Sequence, residues 1–175
     1  MKTLSLSFLA GLLVLALAQP AAVAQESSEV AATGDRVSVE LGDFDQMRET
    51  KHLRGVQRRD TERSVRTLSE WLQKRIERQL PEGQQMKVVL ADVDLAGDYI
   101  PGRGPSMDTV RVIKDLYPPR ITLSWQRLDA DGDVLDEGDE VLVDMAFMSG
   151  GANMTDPLRF EKRLLSQWLR ERLKD

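Results

Sequence analysis

Asp92 and Asp94 stand two residues apart in an otherwise apolar run, and the segment after them supplies Asp98, Tyr99, Arg103, Asp108, Arg111, Lys114 and Asp115. Two carboxylates on one face of a strand can act as a general acid and a general base, as in glycoside hydrolysis, if the fold sets a suitable separation. A strand end feeding a polar loop is equally a place to hold a ligand or partner. The plainest alternative is that these charges close a surface loop by local salt bridges. The candidate binding residues are therefore Asp92, Asp94, Arg103, Arg111, Lys114 and Asp115, with Tyr117 and Arg120 just beyond them.

Other chemistry is thinner. Asp129, Asp131, Asp133 and Glu140 occupy positions 1, 3, 5 and 12 of a calcium-loop pattern, but position 6 is Val134 rather than Gly and position 8 is Asp136. An Asp-Gly hairpin turn with an acidic tip explains the same residues, and a weak calcium site stays as a minor reading. His52 is the only imidazole, the side-chain type that titrates near neutrality. It sits between Lys51 and Arg54 with no nucleophile at motif spacing, which reads as a solvated loop histidine. Gly102-Arg103-Gly104 lacks the Lys-Ser/Thr ending of a phosphate-binding loop. There is no cysteine, so thiolate metal sites, disulfides and cysteine nucleophiles are excluded, and no catalytic residue, cofactor or metal is expected.

The elements that must position these residues follow from periodicity. Val37, Val39 and Leu41 alternate with polar residues in a half-buried strand, and Met86 to Leu95 reads as an internal strand. Val65, Leu68, Leu72, Ile76 and Leu80 recur at helical spacing, predicting a helix over 60–80 capped by Asp60 or Thr61. Residues 96–119 hold three Gly and four Pro and read as a long irregular segment, with a short edge strand near 109–113. Ile121, Leu123 and Trp125 open a hairpin that turns at Asp131-Gly132. A last helix starts at Asp156-Pro157, with Leu164, Leu165, Trp168 and Leu169 on its apolar face. The sum is an α+β two-layer sandwich, a mostly antiparallel sheet of about four strands with two helices on one face.

The N-terminus carries an address. Lys2, an apolar run of about 14 residues and Ala22-Val23-Ala24 have the layout of a signal peptide, cleaved after Ala24. The run is too short for a membrane-spanning helix, which needs roughly 20 residues. Residues 25–35 read as a disordered polar leader and 36–175 as one domain. A net charge of -5 disfavours nucleic acid and anionic membranes as partners, although Arg48 to Arg66 holds seven bases against three acids. Internal ion pairs on a solvated helix face account for that stretch as readily as a partner does.

Three segments together resemble a known family. They are Asp92-Val93-Asp94-Leu95-Ala96-Gly97, Arg111 to Ile121 with its Tyr117-Pro118-Pro119-Arg120 centre, and Asp156-Pro157-Leu158-Arg159-Phe160-Glu161-Lys162. In this order, with Asp129-Ala130-Asp131-Gly132 between the last two, they are similar to the family called domain of unknown function 3016. The resemblance implies a secreted or periplasmic protein of Gram-negative bacteria and no particular activity. The leading expectation is a non-catalytic, soluble periplasmic binding or accessory protein, holding an envelope protein or a small anionic ligand. The enzyme alternative is a carboxylate-dependent hydrolase of envelope glycans.

Overall fold

Val37, Val39 and Leu41 do face one side of a strand, and the rest of the sheet is built outward from it. The computed structural model describes residues 29–33, 36–102, 108–149 and 155–174. Its strands are Glu29–Thr33 (β1), Val37–Leu41 (β2), Gln85–Asp94 (β3), Asp98–Tyr99 (β4), Arg111–Val112 (β5), Arg120–Leu128 (β6) and Val134–Val143 (β7). The helices are Gly55–Glu77 (α1) and Arg159–Arg172 (α2). The main sheet runs β1-β2-β3-β6-β7; β4 and β5 form a separate two-stranded ribbon. Only β2 and β3 pair in parallel, joined through α1, and the other neighbours are antiparallel. The fold is the expected α+β sandwich, with a mixed sheet.

Both helices lie on one face. Val65, Leu68, Leu72 and Ile76 of α1 and Leu164, Leu165, Trp168 and Leu169 of α2 share a single core with the strand residues. Burial of these side chains is the main driving force for the two layers, at about 1.5–3 kcal/mol for each fully buried large aliphatic chain.

One irregularity in β3 decides where the carboxylates go. Met86, Val88 and Leu90 face the core, and a strict alternation would send Asp92 and Asp94 in after them. The register with β6 shifts between Leu90 and Asp92, so Val93 and Leu95 are buried instead. The bulge turns both carboxylates to the opposite face.

Several boundaries differ from the sequence expectations. The helix read from Asp60 begins at Gly55, with Arg54 at its N-cap and no side-chain cap bond, and Thr61 lies buried inside it. Asp156 is not the N-cap of α2. It accepts the Leu158 N–H at 2.9 Å and pairs with Lys162 at 2.8 Å, one turn ahead of the helix. The leader read as disordered over 25–35 contains β1, antiparallel to β2 with a bulge between Val30 and Ala32. Main-chain pairing along the outer edge of β2 needs no apolar alternation, which is why periodicity missed it. Residues 1–24, where the signal peptide is expected, lie outside the described residues. Among the described residues no helix is long and apolar enough to cross a membrane.

The hairpin tip overturns the calcium reading. Asp129 Oδ1 accepts the N–H groups of Asp131 and Asp133, both at 2.9 Å, so that oxygen already closes the turn. Glu140 points into the helix layer, where Oε1 accepts both Trp125 Nε1 and Trp168 Nε1 at 2.9 Å and Oε2 accepts Arg172 Nη2 at 3.0 Å. The oxygen needed at the twelfth position is thus committed elsewhere. Among the described residues no group of His, Asp and Glu is arranged to hold a metal ion.

Candidate functional site

Beyond the end of β3 the chain turns through Leu95-Ala96-Gly97, and polar side chains from three distant segments converge on this turn. Glu49 Oε2 accepts the Leu95 N–H at 2.9 Å, and Glu161 Oε1 accepts the Ala96 N–H at 2.7 Å. Arg111 Nη1 donates to the Gly97 carbonyl at 2.9 Å and to the Leu95 carbonyl at 3.4 Å. The Gly97 N–H donates to the Tyr117 carbonyl at 3.0 Å. Gly97 has a φ of +83°, and a Cβ there would sit 2.6 Å from the Val112 carbonyl oxygen, so only glycine lets the β4-β5 ribbon close on the turn.

Arg111 is the hub. Its Nη2 pairs directly with the Glu49 carboxylate and lies 3.4 Å from Thr61 Oγ1, while its guanidinium stacks 4.6 Å from the centre of the Tyr99 ring. Five donors in a fixed fork suit this task, and a lysine could not serve all these acceptors. Burial opposes the charge on Arg111, but Glu49 and Tyr99 hold its pKa above the ordinary value.

Glu49 is the most perturbed group on the cleft side. Its side chain is 6% exposed. Burial pushes its pKa up from 4.5 to about 7; Arg111 pulls it back in part, and a hydrogen bond with Asp94 adds to the rise. Burial likewise raises the pKa of Glu161, whose Oε2 has no hydrogen-bond partner among the described residues.

The raised Glu49 has a consequence for stability. The native chain binds this proton more tightly than the unfolded chain, so stability from this group is full below pH 4.5 and is lost as pH rises toward 7. Urea midpoints between pH 4.5 and 7.5 should show the parent falling relative to Glu49→Gln, by about 2–3 kcal/mol. Parallel pH profiles for the two proteins would contradict it.

On the solvent side of this clamp lies a cleft of about 520 Å³. Glu49, Asp94 and Asp98 supply its carboxylates, Arg48 and Arg120 its cations, and His52 an imidazole. Its rim is apolar: Leu53, Leu116, Tyr117, Pro118, Val143 and Met145. Leu116 is 72% exposed and Met145 75%, which is unusual for two large apolar side chains lining one cleft. A depression of about 570 Å³ on the uncovered sheet face, lined by residues such as Lys87, Gln126 and Glu137, is open strand surface.

The sequence candidates fall into five groups. Asp94, Tyr117 and Arg120 line the cleft. Asp92 lies beside it, engaged by the Arg48 N–H at 2.8 Å. Arg111 is behind the wall as a structural hub. Lys114 and Asp115 are exposed and do not line the cleft. Arg103 lies outside the described residues. Glu49, Thr61, Tyr99 and Glu161 were not among the candidates, and His52, read as a solvated loop residue, is exposed but borders the cleft. Glu161 did leave a trace, since it falls in line with Leu165 and Trp168 on the apolar stripe of its helix.

A family model described as a protein of unknown function (DUF3016) matches residues 35–171. No curated protein and no solved structure matches the chain.

Proposed function

We propose that this chain, a member of the DUF3016 family whose model spans nearly the whole folded domain, is a non-catalytic binding or accessory module of the bacterial cell envelope. The module holds a protein partner in the cleft beyond β3. The observation that carries this reading is the pairing of a rigidly clamped polar floor with an exposed apolar rim at Leu116 and Met145. Side chains such as these gain most from being covered by another surface. A small anion fits less well, because Glu49, Asp94 and Asp98 face the same space as Arg48 and Arg120. The signal-peptide layout of residues 1–24 supports a periplasmic or secreted setting.

A photo-crosslinking side chain at Leu116 should capture a defined partner in periplasm, while the same group at exposed Glu82, before β3 at the opposite end of that strand, should capture none. Equal capture from both positions would overturn the cleft as the binding surface. Charge reversal at Arg111 is unsuitable for this purpose, since that residue supports the fold.

One observation favours the enzyme alternative. Glu49, with a pKa near 7 and a hydrogen bond to Asp94, has the character of an acid–base pair, and it replaces Asp92 in that reading. Turnover of cell-wall fragments that disappears in a folded Glu49→Gln variant would establish it. The direct pairing of Glu49 with Arg111 and the Leu95 N–H favours a structural duty for this carboxyl.

A further inference from the structure

We propose that β7 is a docking edge, to which an extended partner segment carrying basic and apolar residues adds as a further strand. β7 is the last strand of the sheet, and ten residues, Val134–Val143, run along it. Every second residue of a terminal strand turns its N–H and C=O away from the sheet. Proteins ordinarily blunt such an edge with proline, lysine, a short strand or a covering segment. β7 carries no proline and no lysine, and Val134, Leu135, Val141 and Val143 are left exposed along it.

What protects this edge is charge of one sign. Asp136, Glu137 and Asp139 lie exposed in the strand, and Asp129, Asp131 and Asp133 lie in the turn before it, with no base from 129 to 140; Glu140 turns to the core face instead. Pairing with a second copy of β7 would set acids against acids, which is destabilising across strands. A basic segment meets the opposite condition: its charges complement the edge, and its apolar residues can cover the exposed valines. Strand addition supplies affinity through main-chain hydrogen bonds, and the alternate side chains supply the choice of partner. This inference rests on β7, which meets the cleft at Val143 alone among its residues.

The full chain can be titrated with a short synthetic peptide that carries Lys and Val on the same strand face, and with an analogue of equal charge in which alternate amides are N-methylated. Binding of the first should protect amides of β7 from hydrogen exchange, and the analogue should bind at least about tenfold more weakly. Asp136→Lys with Asp139→Lys should weaken the first peptide by about tenfold or more, at unchanged melting temperature. Equal binding of the two peptides would reduce the effect to charge attraction and overturn the proposal. So would peptide binding without protection of β7, or protection that appears with protein concentration alone and marks a second copy as the occupant.

Discussion

Arg111→Ala should destabilise the fold by about 3–5 kcal/mol, the scale for breaking a buried ion pair by removing one partner. The substitution leaves Glu49 without its counter-charge and frees the Leu95 and Gly97 carbonyls together with the face of Tyr99. Because Arg111 pulls the Glu49 pKa down, its loss pushes that pKa further up. The deficit should therefore be larger at pH 8, where the parent ionises Glu49, than at pH 5. Arg111→Lys should recover only part of the loss, since a point charge cannot bridge acceptors on both sides of the turn. Urea unfolding at the two pH values reads both effects, and a pH-independent loss under about 1 kcal/mol, typical of a surface ion pair, would contradict the clamp.

Glu140→Ala should cost about 2–4 kcal/mol, because it removes the common acceptor of two indole N–H groups that are then buried without a partner. Trp125 and Trp168 meet edge to face at 6.3 Å between centroids, and the carboxylate bridges them from β7. Glu140→Gln keeps an acceptor for the indoles and loses only the negative charge that faces Arg172, so its cost should be well under half that of Ala. Burial raises the pKa of Glu140, but the indole and Arg172 hydrogen bonds outweigh it and hold the value low. Its contribution is thus present above the ordinary carboxylate range and is lost as pH falls through the lowered value. Unfolding followed by tryptophan fluorescence measures both variants, and equal stability of Ala and Gln would refute the bridge.

The layers were legible because burial imposes a period. Val37, Val39 and Leu41, and the α1 stripe from Val65 to Ile76, announce their faces without any tertiary information. Even the bulge leaves a mark, as the apolar positions change parity from Leu90 to Val93. The start of α1 was hidden because Arg54 caps it without a side-chain bond, so the polar candidates Asp60 and Thr61 drew the boundary inward. The calcium pattern misled for a related reason: spacing along the chain cannot show that Glu140 turns to the core face while Asp129 stays at the tip.

The site was legible only in outline. Of the candidates named between Asp92 and Arg120, Asp94, Tyr117 and Arg120 line the cleft. Glu49 lies in a polar connection without periodicity, and its partners Arg111 and Leu95 are 62 and 46 residues away. No local pattern encodes a contact of that range. Its perturbed pKa belongs to the assembled fold, where desolvation and a neighbouring carboxyl act together.

Native mass spectrometry of the protein isolated from its native extract would show whether the cleft beyond β3 holds a partner, as proposed. The expected result is a protein-sized adduct that is lost on denaturation and is absent from a folded Leu116→Glu, Met145→Glu variant. A bare monomer from both proteins, or the same adduct on both, would contradict it.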